Sequence, residues 1–286
     1  MNETQFLLRV PHADFSADVT ECVVCDTVTF TSTTTGPLTE MIWELDPVDC
    51  WDCTWDGDPV WTGDSHVYDE VGFYSPVLWA YNNNGLGAKS RPGYLAVGFT
   101  DAGPAHWAFR QIIACQDAGV VGGYWDGYHP AETVNRAQMA VYMARALAGG
   151  DANVPPGPGT ATFADVPTDY WAFDYVEYCY ANGIVGGYWD GYHPEETVNR
   201  AQMAVYVARA ISPFSERPDL PSYTPPGTAT FPDVPTDYWA FKYVEYCYAQ
   251  GIVTGYWDGY HPVEDVNRGQ MAVYVQRAFD YETYAP

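Results

Sequence analysis

Tyr170–Ile211 reads YWAFDYVEYCYANGIVGGYWDGYHPEETVNRAQMAVYVARAI, and the chain contains two near copies of it. His106–Leu147 reads HWAFRQIIACQDAGVVGGYWDGYHPAETVNRAQMAVYMARAL, and Tyr238–Phe279 reads YWAFKYVEYCYAQGIVTGYWDGYHPVEDVNRGQMAVYVQRAF. Their anchors Trp107, Trp171 and Trp239 stand 64 and 68 residues apart. Repetition at such a period marks an array of supersecondary units. Each unit predicts helix, loop, helix. In the middle copy Asp169 is expected to cap a first helix, with Ala172, Val176 and Cys179 on one face and Gly183 ending it. Gly186-Gly187 and Asp190-Gly191 mark turns. A second helix opens at Asn199, with Gln202 three residues on, an Asn/Gln variant of the reciprocal capping box. Met203, Tyr206, Val207 and Ala210 give that helix an apolar face. One such hairpin cannot bury its apolar side alone, whereas three packed together can.

Working outward, each unit has an aspartate-containing lead: Phe99-Thr100-Asp101, Phe163-Ala164-Asp165-Val166 and Phe231-Pro232-Asp233-Val234. Pro/Gly-rich connectors, which read as extended ties, separate the units. The expected divisions are residues 1–98, repeats at 99–148, 163–211 and 231–280, linkers at 149–162 and 212–230, and a tail at 281–286. Residues 1–98 have another texture. Val19–Thr33 and Val67–Val97 are rich in Val, Thr, Tyr and Phe and broken by Gly, Asn and Pro, which predicts short strands of an all-β sandwich. Asn82-Asn83-Asn84-Gly85 suits a hairpin turn, because Asn and Gly tolerate positive φ.

Of the 286 residues, 47% are hydrophobic and 16% aromatic, so the chain has the means to bury a core. Lys and Arg together number 12 against 37 Asp and Glu, a formal net charge of −25. Such a field repels nucleic acid and anionic lipid, so neither is an expected partner. No apolar stretch has the length of a transmembrane helix. The opening MNETQFLLRV shows no basic region followed by an apolar run, so no signal peptide is read there. A polar, aromatic surface of low charge density suits recognition of sugars or of other protein surfaces.

Several pieces of the repeats resemble the S-layer homology family: the Phe-x-Asp-Val lead, the Trp-containing first helix, the Gly-Ile-Val-x-Gly turn, the Asp-Gly-x-x-Pro loop and the Arg-Ala-Gln helix start. The resemblance covers residues 99–280. It implies a pseudo-threefold α-helical array of three repeats that binds cell-wall polysaccharide, often pyruvylated, in grooves between repeats. The family's ligand-contacting Thr-Arg-Ala-Glu stretch corresponds to Asn135-Arg136-Ala137-Gln138, Asn199-Arg200-Ala201-Gln202 and Asn267-Arg268-Gly269-Gln270. The Asn and Gln here keep the capping chemistry and change the polar groups offered to a groove. Residues 1–98 resemble a PKD-type immunoglobulin-like domain, through His66-Val67-Tyr68, Gly72-Phe73-Tyr74 and Asn82–Gly85, with Trp43 in the place of the family's core Trp. A Cys- and Asp-containing insertion replaces that family's Gly-Asp-Gly loop.

Arg136, Arg200 and Arg268 are the leading binding candidates. Each sits in a first helical turn, where free N–H groups and the positive dipole end favour an anion, and a guanidinium can hold a carboxylate at two points. The other reading is a structural arginine paired with the repeat's own Asp. Trp125, Trp189 and Trp257 offer rings to a sugar or a neighbouring subunit, or else fill the repeat core with their Tyr neighbours. Asp126, Asp190 and Asp258 read as turn formers. His129, His193 and His261 read as loop hydrogen-bonders.

Cys22, Cys25, Cys50 and Cys53 form two Cys-x-x-Cys pairs. In a cytosolic protein they would suggest zinc, and in the exported setting that the resemblance implies they read as disulfides of undetermined pairing. Cys115, Cys179 and Cys247 recur once per repeat and read as small buried hydrophobes. Asp46, Asp49, Asp52, Asp56 and Asp58 cluster in the insertion, either as a calcium site or as a solvated acidic loop. No nucleophile-base-acid order, zinc-protease motif or phosphate loop is present, so no enzyme and no cofactor beyond calcium is expected. The chain is therefore expected to be an extracellular, cell-surface structural protein that binds wall polysaccharide, copies of itself, or both. The alternative is a subunit of a self-assembling filament or tube without wall binding.

Overall fold

The structure, a computed structural model, describes residues 10–45 and 65–284. The chain divides into two compact units, residues 1–113 with 283–286, and residues 114–282. Cys50, Cys53 and the aspartates from Asp46 to Asp58 lie outside the described residues.

Among its described residues the first unit holds nine short strands: β1 Phe15–Ala17, β2 Glu21–Val23, β3 Thr27–Ser32, β4 Glu40–Glu44, β5 Ser65–Val67, β6 Gly72–Tyr74, β7 Val77–Asn82, β8 Gly85–Ser90 and β9 Leu95–Gly98. They form three small sheets, β1-β3-β5, β2-β9-β6 and β4-β7-β8. All pairings are antiparallel except β2 with β9, where Cys22 faces Val97. Strands from every sheet contribute to one buried cluster, including Phe15, Phe30, Trp43, Leu78 and Leu95. In β3 the alternation is complete, with Val28 and Phe30 buried while Thr27, Thr29 and Thr31 are exposed, the period-2 signature of a half-buried strand. The expected hairpin turn joins β7 to β8. Asn82 Oδ1 accepts the N–H groups of Asn84 and Gly85, and Gly85 takes φ 153°, which the missing Cβ permits.

The expected disulfides do not appear at the two described cysteines of this unit. Cys22 is a free, buried thiol on β2, and Cys25 is a free, exposed thiol in the β2–β3 turn. Burial and the nearby Asp26 and Asp18 carboxylates push the Cys22 thiol up to about 11, which keeps it protonated.

Six helices follow the strands: α1 Phe109–Asp117, α2 Arg136–Ala148, α3 Phe173–Ala181, α4 Arg200–Ile211, α5 Phe241–Ala249 and α6 Arg268–Phe279. The boundary between the units falls within α1. The first helices do not start as expected. Ala172, not Asp169, occupies the cap of α3, and no side chain caps it. Successive backbone turns supply the acceptors instead, with Phe173 N–H on Tyr170 O and Tyr170 N–H on Pro167 O. The second helices match expectation. Asn135, Asn199 and Asn267 each cap one, and each forms a complete capping box with Gln138, Gln202 and Gln270.

The aspartate leads have a definite task. Asp165 accepts the N–H groups of Tyr192 and His193, at 2.8 and 2.7 Å, and Asp233 does the same for Tyr260 and His261. Satisfying these N–H groups holds both carboxyls below the usual aspartate range against the opposing effect of partial burial. Glu177 and Glu245, both buried, each take the N–H and hydroxyl of a lead threonine, Thr162 and Thr230.

In residues 114–282 the repeats interlock in cyclic order. Val134 donates its N–H to Val266 O, Val266 to Val198 O and Val198 to Val134 O, at 2.8–2.9 Å, and all three side chains are fully buried. The thiols follow the same cycle. Cys179 contacts Ala140 O in the preceding repeat, Cys247 contacts Ala204 O and Cys115 contacts Ala272 O. The reading of these cysteines as small buried residues is correct, with a weak S–H donor reaching a neighbouring helix carbonyl.

Candidate functional site

Arg136, Arg200 and Arg268 are 5%, 2% and 3% exposed, which is unusual for arginine. Each reaches from its own repeat into the loop of the next. Arg136 donates from Nε to Tyr192 O at 2.7 Å and from Nη2 to Gly186 O at 3.1 Å. Arg200 does the same with Tyr260 O and Thr254 O, and Arg268 with Tyr128 O and Gly122 O. Each guanidinium also lies 4.5 Å from the ring centroid of that same tyrosine, Tyr192, Tyr260 or Tyr128. Neither sequence reading described this arrangement. The arginines pair with carbonyl oxygens and ring faces of a neighbouring repeat, not with an aspartate of their own. Carbonyl acceptors and π faces are what make burial of an unpaired cation tolerable.

The helix N–H groups expected to be open for an anion are occupied. Arg136 and Ala137 donate theirs to Glu196 O and Pro194 O, and the same pattern links Arg200 and Ala201 to Glu264 and Pro262, and Arg268 and Gly269 to Glu132 and Pro130. Each repeat's His-Pro loop therefore caps the preceding repeat's second helix, which is why three separate hairpins hold one another.

The open space lies on the outer side of these pins. A groove of about 400 Å³ is lined by Arg136 from the first repeat, by Gln202, Tyr206 and Arg209 along one face of α4, and by Trp239 from the third repeat. A second, of about 310 Å³, is lined by Arg268, by Gln138, Tyr142 and Arg145 along α2, and by Trp171. Neither lining contains a carboxylate, in a chain of net charge −25. Each glutamine uses its Oε1 in the capping box, so it presents an amide donor where the family pattern has an acid.

Sequence reasoning missed Arg145, Arg209, Trp171 and Trp239 as groove residues. A signal existed, since Arg145, Arg209 and Arg277 occupy the same place in all three copies of a chain with few cations. Trp171 and Trp239 read only as helix anchors, because nothing local tells which neighbouring repeat they wall.

Trp125, Trp189 and Trp257 line neither of these two grooves. They are 97%, 96% and 97% exposed at the loop tips and fill no core. Beside them His129, His193 and His261 adopt φ of 57–59°, each with one ring nitrogen near a preceding aspartate and the other near a following glutamate, at 2.9–3.1 Å. Among the described residues no group of three or more His, Cys, Asp or Glu is arranged to hold a metal ion. Among them, too, no helix is long and apolar enough to cross a membrane.

The cyclic Arg-to-loop pins and the repeated grooves coincide with three matches to the S-layer homology domain model, at residues 98–140, 162–204 and 230–272. The chain carries three S-layer homology domains. Other proteins are similar to parts of this chain. A cellulosome-anchoring protein of Acetivibrio thermocellus is 27% identical over 58% of this chain and 36% of its own length. The S-layer protein EA1 of Bacillus anthracis is 27% identical over 62% of this chain and 19% of its own. An endoglucanase of Bacillus sp. is 31% identical over 42% of this chain and 12% of its own. The chain thus spans between 12% and 36% of the length of these three relatives.

Proposed function

We propose that this chain is an extracellular, cell-surface structural protein that attaches non-covalently to cell-wall polysaccharide through its S-layer homology domains, without catalysis of its own. One observation carries the reading. Each groove places two arginines, a glutamine amide and a tryptophan around a space without carboxylates, in an otherwise strongly acidic chain. Guanidinium groups hold an anionic substituent and an indole face covers a sugar ring. The names of the anchoring and S-layer relatives agree with it. On this reading Arg136, Arg200 and Arg268 act as pins whose outer edge also meets the ligand, and the nearer cations of the two grooves are Arg145 and Arg209, with Arg277 at the equivalent position of the third repeat.

The cyclic valine, cysteine and arginine contacts support a closed pseudo-threefold array for the repeats. The buried Trp43 and the β7–β8 hairpin support a PKD or immunoglobulin-like sandwich for the strands.

The test is co-sedimentation with purified wall fragments. Joint replacement of Arg145, Arg209 and Arg277 by Gln should leave the fold intact and reduce the pelleted fraction to background. Undiminished pelleting by that variant counts against the grooves.

A second reading, self-association into a layer or filament, is favoured by the three fully exposed tryptophans, since an isolated soluble domain has no use for three such rings. The two functions are compatible.

A further inference from the structure

The strands carry a feature that wall attachment does not use. In the sheet β4-β7-β8 the central strand β7 is paired on both sides, so β4 and β8 are the edges. Arg91 donates its N–H to Pro76 O, one step beyond the Val77–Ser90 pair. Antiparallel ladders alternate, so this bond sets the phase, and Leu86, Ala88 and Ser90 direct their main-chain N–H and C=O groups away from β7. On the other side Thr39 donates to Tyr81 O, which therefore faces β4 and leaves the main-chain groups of Met41 and Trp43 pointing outward. Among the described residues no hydrogen bond uses these outward groups on either edge.

An open edge is a template for another chain unless charge, proline or a bulge blocks it. The solvent face of β8 has none of these. Its six pairs with β7 run without interruption, and Leu86, Ala88 and Ser90 are exposed and uncharged. Lys89 lies on the other face of the strand, opposite the fully buried Leu78.

The charges of the two edges are opposite. Among residues 10–45 and 65–98 the cations are Lys89 and Arg91, at the end of β8, while Glu40 and Glu44 bound β4. Arg91 pairs with Asp14 at 2.9 Å, whereas Lys89 is in no ion pair among the described residues. Two β8 edges brought together would oppose their lysines. A β8 edge against a β4 edge brings lysine to glutamate, so the charges select unlike edges.

Deepening the self-association reading, on which it rests, we infer that the β8 edge of one copy adds to the β4 edge of a second copy, joining their sheets. β4 and β8 run parallel within one sheet, because each is antiparallel to β7. A second copy displaced sideways therefore presents β4 parallel to β8. With Ala88 level with Ile42 of the second copy, the Ala88 N–H meets Met41 O and the Ala88 C=O meets the Trp43 N–H, which is the slanted pattern of a parallel ladder. Each addition leaves one edge of each kind free, so the contact does not close and gives an open chain.

Sedimentation velocity of the full chain at low ionic strength, from low to high micromolar concentration, tests this. The wild-type chain should form a series of species beyond the dimer. Ala88→Pro removes an N–H that β7 does not use, so the strand is kept. Its association should weaken about tenfold or more, and Ala88→Thr, which keeps the donor, should match wild type. Lys89→Glu alone should weaken association, as should Glu40→Lys combined with Glu44→Gln. An equimolar mixture of those two variants should restore it, because every junction again joins opposite charges. Amide exchange at Ala88 and Trp43 should slow in the assembled fraction. Growth that stops at a dimer, or a mixture that restores nothing, overturns the proposal. If the wild-type chain associates and Ala88→Pro, with its native circular dichroism retained, associates equally well, the edge contact is wrong and self-association stands. A wild-type chain that stays monomeric throughout removes both.

Discussion

Nε of Arg268, in the last repeat, lies 2.8 Å from the carbonyl oxygen of Tyr128 in the first, across 140 residues of chain. The Tyr128 hydroxyl returns a bond to Arg268 O, so the two residues clasp each other. This contact closes the cycle that Arg136 and Arg200 make between consecutive repeats. Replacing Arg268 by Leu would take the Nε donor from the buried carbonyl oxygen of Tyr128 and the Nη2 donor from the more exposed one of Gly122. A loss of about 3 kcal/mol is expected. Urea denaturation should show a lower midpoint, and an unaltered midpoint would refute the closure.

Asp165 and Gly191 form a second such pair. A Cβ on Gly191 would stand 2.5 Å from the Asp165 carboxylate, at a φ of 155° that side chains disfavour. Gly191→Ala should therefore cost more than Asp165→Asn, which retains one acceptor oxygen. About 2 kcal/mol or more is expected for the glycine change, again read from denaturation midpoints.

Cysteine labelling separates the two kinds of thiol. Burial pushes the Cys115 thiol up to about 12 and raises those of Cys179 and Cys247 further. Cys25 is exposed. Iodoacetamide at pH 8, mapped by mass spectrometry, should modify Cys25 within minutes and the three repeat cysteines only on unfolding. Labelling of Cys179 in the native protein would contradict the packing.

His193 and His261 titrate above the ordinary histidine value. For His193 the hydrogen bond to Glu196 is the main cause, with Asp190 adding to it. For His261 lost hydration opposes the shift, but Glu264 and Asp258 outweigh it. A raised folded-state value means that the imidazolium stabilises the loop fully below the unfolded pKa of about 6.5. That contribution is lost as pH rises through the folded value. NMR titration should place His193 above 6.5, and Glu196→Gln should lower it. An unmoved titration in that variant would show that the carboxylate is not the cause.

Trp125, Trp189 and Trp257, almost fully exposed, contribute little to the fold. Replacing all three by Ser should change stability by less than about 1 kcal/mol in total, as expected for surface positions. Sedimentation velocity of the same variant tests the assembly reading. Loss of large species would assign the tips to copy–copy contacts, and unchanged association would exclude them.

Much of this protein was legible in its sequence because the information was local. Three copies of one pattern identified the repeats, and the Asn-to-Gln spacing marked the start of each second helix, since a capping box lies within four residues. Asn82–Gly85 gave away its hairpin for the same reason. The first helices were misread by a few residues because backbone turns, which leave no side-chain mark, took over the capping that Asp169 seemed suited to. The three pinning arginines were singled out as binding candidates, and the sequence did not show their surroundings in the fold. Their partners are main-chain carbonyls 50–146 residues away, and any residue type can supply a carbonyl. Composition and periodicity alone therefore determined that this is a strand-rich segment followed by three repeated helical units. Only the tertiary structure decided that Trp171 and Trp239 wall a neighbour's groove, and that Tyr206 turns to Tyr192 while Tyr142 and Tyr274 turn to arginine. Those choices depend on how rings compete for space and hydrogen bonds once the repeats are packed, a competition that near-identical sequences do not record.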